Sequence, residues 1–364
     1  MTSTDVDADS RDEVTGDQGG GDSPALLELD GLAVQFPTSD GIVKAVDGVD
    51  LTIRPGEVHC IVGESGCGKS QTLRAVLQLL DPPGHIAGGE VRWRREDGEV
   101  VDLAALAPKS ARMRSLRGGD IGMVFQEPAR SLSPMHTVGF QISEAIRLHS
   151  GVSKKEAWDR AVEALRDVQI PRPELRAKNY PFELSGGMRQ RAMIAVALSG
   201  SPRLLLADEP TTALDVTTQA QILELLQRLR DERDMAICFI THDLGVVADI
   251  ADRVSVMYLG RVVETAEVHD LFDHPAHPYT RALLESVPRL GHRGQRLTTI
   301  RGTVPSPFGR PNGCTFNDRC EWAEKGTCDR RVPPMERVDS PSPQPHAAAC
   351  LRLATVRESS EENR

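Results

Sequence analysis

Aromatic residues are scarce in this chain: three Trp, three Tyr and eight Phe make up 4% of 364 residues. Successive single-stranded bases need such rings to stack on, so the composition offers little to a nucleic-acid strand. An excess of basic residues is missing too. The net charge is −10, whereas binding to a phosphate backbone calls for a Lys- and Arg-rich face. Much of the acidic excess sits in one tail, with Asp5, Asp7, Asp9, Asp12, Glu13, Asp17 and Asp22. No apolar run approaches the roughly 18 residues that a membrane span requires. Met1 to Gly21 is polar and acidic and has no apolar signal core. The expectation is a cytosolic chain that docks on something in a membrane, and seven cysteines in that compartment are not expected as disulfides.

What is present suits a soluble globular protein of about two domains: 39% hydrophobic and 26% charged residues. Residues 1–24, rich in Asp, Gly and Ser, read as a disordered acidic tail. Leu26 to Phe36 and Ala45 to Ile53 alternate as strands around the turn Ser39-Asp40-Gly41. Val58 to Val62 is a short buried strand, and Gly89 to Trp93 and Asp120 to Phe125 read as further strands. A helical stretch at about 127–185 includes the capping box Ser153 to Glu156, followed by Trp158, Ala161, Val162, Leu165 and Val168 at helical spacing. Strands and helices then alternate through Arg203 to Leu259, which argues for a mainly parallel sheet covered on both faces. Beyond about 288 the chain turns rich in Pro, Gly, Arg and Cys and reads as a separate appendage.

The stretch Gly63-Glu64-Ser65-Gly66-Cys67-Gly68-Lys69-Ser70-Gln71 stands between the strand Val58 to Val62 and a helix start. Strand, Gly-rich turn and helix in that order make a phosphate loop. Its backbone N–H groups and the helix N-terminus cradle a triphosphate, Lys69 reaches the β- and γ-phosphates, and the Ser70 hydroxyl binds Mg²⁺. Cys67 reads as a small filler. A second apolar strand, Leu204 to Ala207, ends in Asp208 and Glu209. There Asp208 would hold Mg²⁺ through water, and Glu209 would polarise the attacking water. Ser185-Gly186-Gly187, opening an amphipathic helix, makes a second anion site that one nucleotide cannot use within one chain.

Together with Gln126, Asp215 and His242 at their spacings, Leu184 to Arg191 resembles the signature of the nucleotide-binding subunit of an ABC transporter. The resemblance covers residues 26–350. It implies an α/β P-loop NTPase fold, with a RecA-like core, an antiparallel β subdomain, a helical subdomain at about 127–185 and a small Cys-rich C-terminal appendage. The expected divisions are 25–287 for the ATPase domain, 288–352 for the appendage and 353–364 for a polar tail. The resemblance also assigns roles: Phe36 stacks on adenine, Gln126 senses Mg²⁺ and the lytic water, Asp215 speaks across a dimer, and His242 contacts the γ-phosphate and positions Glu209. Thr212 departs from the pattern, which usually has Ser there. ATP is expected to bind between the phosphate loop of one subunit and Ser185 to Gly187 of the other.

Phe125-Gln126-Glu127-Pro128 running on to Val138-Gly139, with Tyr180-Pro181 and His277-Pro278-Tyr279-Thr280, resembles the di- and oligopeptide importer branch, as does the tail holding Gly313-Cys314 and Arg319-Cys320. That branch implies a second, unlike ATPase subunit, two permeases and an extracytoplasmic peptide-binding protein at the cytoplasmic face of a membrane. Nickel and other small-solute importers share it. A soluble ABC ATPase acting on ribosomes or DNA fits poorly, because the chain has one phosphate loop and one signature. A non-catalytic regulatory subunit fits poorly because Glu209 and His242 are intact. Cys314, Cys320, Cys328 and Cys350 are free thiols, zinc ligands (as Cys₄, or Cys₃His with His346) or holders of a [4Fe–4S] cluster. The resemblance implies the cluster.

Overall fold

The computed structural model describes residues 24–361 apart from 213, 287–299, 307 and 343. The acidic tail and the boundary expected near residue 288 therefore lie outside the described residues. Twelve strands are described: β1 (Leu27–Thr38), β2 (Gly41–Ile53), β3 (Val58–Val62), β4 (His85–Arg94), β5 (Val100–Asp102), β6 (Ile121–Val124), β7 (Leu204–Asp208), β8 (Ala236–Ile240), β9 (Arg253–Tyr258), β10 (Arg261–Glu267), β11 (Glu336–Arg337) and β12 (Ala347–Ala348). They form two sheets. One is antiparallel, in the order β2-β1-β4-β5, and the other follows the order β11-β12-β10-β9-β3-β8-β7-β6.

The sequence pattern explains the difference between the sheets. Every residue of β3, β7 and β8 is buried, as continuous apolar runs in a sheet covered on both faces must be. These strands pair in parallel, as do β3 with β9 and β6 with β7. Residues of β1 instead alternate between buried and more open positions, and the inward set (Leu27, Leu29, Val34) packs with Val46, Trp93 and the helix residues Leu73 and Val76. One face is core and the other is wet.

Between β6 and β7 the chain is helical. Val138–Ser150 is capped by the Thr137 side chain and Lys154–Asp167 by that of Ser153, which accepts from the Glu156 amide. Ala157, Ala161 and Leu165, spaced by four, form the buried face of the second helix. These helices pack against the helix Gly186–Ala197, which follows after two short turns of helix at Pro173–Arg176 and Pro181–Glu183.

The Cys-rich segment is more closely integrated than a separate appendage. Its strand β12 pairs antiparallel with β10, extending the central sheet and covering the edge that β10 would expose. Phe316 packs against both Tyr258 and Tyr279, with ring centroids 5.3 Å from each. Residues 353–361, expected as a polar tail, are helical, and Val356 is buried.

At this junction His277 is buried, and burial lowers its pKa to about 4 against the opposing pull of Glu264. Its Nδ1 accepts the Tyr279 amide, so a proton there would break a helix cap. The unfolded imidazole titrates near 6.5. Between that value and about 4 the unfolded chain binds the extra proton, so stability falls as pH falls. Denaturant midpoints measured from pH 7 down to pH 4 should therefore show a loss of up to about 3 kcal/mol from this group, largely absent in His277→Asn.

Candidate nucleotide-binding site

The phosphate loop leaves the buried end of β3. Gly68 has φ +103° and a Cβ there would collide with the Ala45 carbonyl; at Gly63 it would strike the Met257 carbonyl. Only glycine fits either place, which lets the loop curl tightly against β9 and β2. The helix Lys69–Val76 begins immediately afterwards. The Lys69 ammonium is buried and donates to the carbonyls of Gly63 (2.8 Å) and Glu64 (3.1 Å), which fixes it across the mouth of the loop. Cys67 is buried, consistent with its reading as a filler, and burial pushes its thiol pKa up.

Ser70 Oγ donates to Asp208 Oδ1 at 2.7 Å. The other carboxylate oxygen, Oδ2, is buried without a hydrogen-bond partner. Burial raises the pKa of Asp208, with the Ser70 hydrogen bond opposing. A hydroxyl bonded to a buried carboxylate with one free oxygen has the chemistry of a hard divalent cation site, so Ser70 and Asp208 fit Mg²⁺. Gln126, the third residue expected there, instead donates to Glu209.

Glu209 follows β7 in a left-handed conformation, φ +45°, held by a bond from its amide to the Ile240 carbonyl. For a non-glycine residue this is a strained backbone. One carboxylate oxygen, Oε2, gathers three side chains: Gln126 Nε2 at 3.0 Å, Thr212 Oγ1 at 2.8 Å and His242 Nδ1 at 3.6 Å. The expected group of Gln126, Glu209 and His242 is therefore assembled. Thr212, noted in the sequence only as a departure, is part of it. The signal was a hydroxyl three residues after Glu209, on the same tight turn.

Ser185 caps the helix Gly186–Ala197 by accepting the Met188 amide, so its oxygen and the first turn face one point. Asp215 caps the next long helix, Val216–Arg233, accepting from the backbone and hydroxyl of Thr218, and these hydrogen bonds lower its pKa. A Cβ on Gly187 would press on Thr218, so this small residue lets the two helix starts meet. Among the described residues no hydrogen bond joins Ser185, Gly186, Gly187 or Asp215 to the phosphate loop. Phe36 is half-buried, its ring against Gly84. Ser65, Gly66 and Gln71 lie in the loop and first helical turn.

Glu64 is tied to the far end of the chain. Its amide donates to the Tyr279 hydroxyl at 2.8 Å, and its carboxylate takes a two-pronged ion pair from Arg319. Tyr279 and Arg319 were noticed in the sequence only as marks of a branch.

Cys314, Cys320, Cys328 and Cys350 line one small void with Phe316 and Trp322. Burial raises the pKa of Cys350 to about 11 and that of Cys320 to about 12. The amides of Glu324 and Arg352 point at the sulfurs of Cys328 and Cys350. Yet no three His, Cys, Asp or Glu side chains among the described residues form a metal-ligand shell, so the expected metal centre is not drawn by this geometry. His346 pairs through Nε2 with buried Glu264 at 2.8 Å and is not among the residues that line the void.

Two family models match the chain: ABC transporter over residues 46–212, and the oligopeptide/dipeptide transporter C-terminal region over residues 263–328. A Brucella abortus (strain 2308) protein named a peptide import ATP-binding protein is 49% identical over 338 residues, covering 91% of this chain and 98% of the relative. A Sinorhizobium fredii protein named a peptide ABC transporter ATP-binding protein is 50% identical over 334 residues, covering 91% and 96%. Among solved structures, a dimeric ATP-binding cassette bound to ADP and Pi superposes with TM-score 0.58 and 29% identity, over 66% of this chain and 98% of that one. A cassette from Clostridium perfringens, part of an ABC transporter complex, gives 0.56 and 28%, over 69% and 91%.

Replacing the carboxylate on which three side chains converge should separate binding from turnover. Glu209→Gln is expected to keep nucleotide affinity within about threefold and to lower phosphate release by at least ~100-fold, the scale of a lost general base. Thr212→Val, which removes one donor to that carboxylate, should cost on the order of tenfold in turnover alone. Nucleotide titration and single-turnover phosphate release measure the two quantities separately.

Proposed function

The chain belongs to the ATP-binding subunits of ABC transporters, in the branch with the oligopeptide/dipeptide C-terminal region, and on that premise we propose that it hydrolyses ATP to energise import of di- or oligopeptides. The observation that carries the reading is the meeting of Gln126, Thr212 and His242 on one oxygen of Glu209, beside the Ser70–Asp208 pair.

In this reading the phosphate loop and Lys69 bind the β- and γ-phosphates. Glu209 orients and polarises the attacking water, taking its proton as the bond to the γ-phosphorus forms and the bond from that phosphorus to the β-phosphate oxygen breaks, with ADP leaving. His242 positions Glu209 and contacts the γ-phosphate, and Gln126, bonded to Glu209, senses Mg²⁺ and the lytic water. Ser70, Asp208 and Gln126 would hold Mg²⁺, which would neutralise phosphate charge. Phe36 would stack on adenine.

Ser185 to Gly187 and Asp215 would serve the nucleotide of a second, homologous ATPase subunit, an unlike one in the heterodimer we favour. ATP then closes the pair and hydrolysis releases it. Two permeases and an extracytoplasmic peptide-binding protein complete the machine, with this subunit peripheral on the cytoplasmic face. Two observations support that placement. No helix among the described residues is long and apolar enough to cross a membrane. The helical stretch at 127–185 exposes Met135 (78%), Leu148 (76%) and Phe182 (68%), which suit a permease contact.

For the four cysteines we propose a [4Fe–4S] cluster, with Zn²⁺ the alternative. Support comes from four sulfurs around one void and from amides aimed at two of them, a pattern that steadies cluster sulfurs. Either centre would cross-link a segment poor in core. Iron, sulfide and zinc analysis of the protein purified without oxygen should find about four iron and four sulfide per chain. Zinc alone would move the assignment to the alternative, and neither metal would overturn it.

The transport reading is tested on the complex purified from its own membrane and reconstituted with its binding protein. Peptide-loaded binding protein should raise ATP turnover several-fold. Stimulation by a nickel chelate alone would change the solute and leave the ATPase reading in place.

A further inference from the structure

The Arg319 guanidinium is almost fully enclosed, its side chain 5% exposed, and is spoken for on every side. Nη1 and Nη2 each donate to one oxygen of the Glu64 carboxylate, at 2.6 and 3.1 Å. Nε donates to the Arg301 carbonyl at 2.8 Å, and Nη1 also reaches the Tyr258 hydroxyl at 3.3 Å. The rings of Tyr258 and Phe316 lie 5.7 and 5.9 Å from its centre, so the fork has one orientation. Its chain neighbours are the Cys-rich segment: Phe316 begins the turn that carries it, and Cys320 ends it.

Glu64 is the first side chain of the phosphate loop. Its amide is held by Tyr279 and its carbonyl receives the Lys69 ammonium. A free carboxylate in that position would stand among groups that have to receive a polyanion. From this geometry we propose that Arg319 is a positioning residue for nucleotide binding. It turns the Glu64 carboxylate toward the C-terminal segment and cancels its charge, so that the loop presents N–H groups and Lys69 to the phosphates. The C-terminal region thereby sets the nucleotide affinity of a loop 255 residues upstream. This rests on the phosphate loop binding ATP, as proposed above.

The test is ATP affinity of the full chain, read with a fluorescent nucleotide, together with KM and kcat of the reconstituted complex. Arg319→Ala leaves Glu64 as an uncompensated charge and should raise the dissociation constant and KM at least tenfold, with kcat within about twofold. Added salt should narrow the gap, because screening weakens the repulsion. Glu64→Gln in the Arg319→Ala background should recover most of the lost affinity. Arg319→Lys, which keeps the charge and loses the fork, should fall between, and it gives a readable result even if the alanine variant folds poorly.

A lowered unfolding temperature with unchanged affinity in the folded fraction would overturn the proposal, reducing Arg319 to a structural strut. So would a defect in Arg319→Lys and Arg319→Ala that Glu64→Gln does not relieve. Failure of the unaltered chain to bind ATP would instead strike the reading of the loop itself.

Discussion

Three parallel strands ending at one edge are the condition on which the site depends. Ile61 in β3 lies opposite Ile240 in β8, and Asp208 in β7 lies opposite the same residue. Whatever follows each strand therefore emerges side by side: Gly63 to Ser70 after β3, Glu209 after β7, and His242 after β8. Parallel pairing leaves the carboxyl ends of the strands open as a ligand crevice. A one-residue slip in β7 would send Asp208 to the other face, away from Ser70. The five-residue apolar runs hold that register because every side chain in them is buried.

Placing charge at the edge of such a core is costly, and the fold meets that cost with specific partners. Lys69 is held by loop carbonyls, Glu64 by Arg319, and Glu264 by two amides and His346. At the site Asp208 is met only in part, with one buried oxygen left unpaired. That imbalance, beside a hydroxyl 2.7 Å from its other oxygen, suits the cation proposed there. At Glu209 the strained backbone aims one carboxylate oxygen at two donors, Gln126 and Thr212, with His242 3.6 Å away.

The Cys-rich segment ties these charges to the rest of the chain. It adds β12 to the sheet edge at β10, sets Phe316 among the tyrosines, and sends Arg319 to the phosphate loop. A region with little periodicity is stable there because it borrows the core of its neighbour.

From the sequence alone the nucleotide machinery was legible, because each part is local. A phosphate loop needs glycines at fixed spacing, Ser185-Gly186-Gly187 opens a helix, and a buried strand reads as an apolar run. Asp208 and Glu209 were placed because they end a recognisable strand, whereas Gln126 and His242 were placed by the resemblance to the family. Long-range pairings were not legible. Arg319 and Tyr279 could be seen only as residues of a branch, and Thr212 only as a departure. The pairing of His346 with Glu264 went unseen, and residues 353–361 were taken for a tail. Each of these depends on which side chain meets a buried charge or covers an exposed edge across tens to hundreds of residues. Sequence spacing carries no record of that, because the partners are chosen by packing. The chain determined what chemistry it holds, and the tertiary structure decided that the phosphate loop answers to its far end.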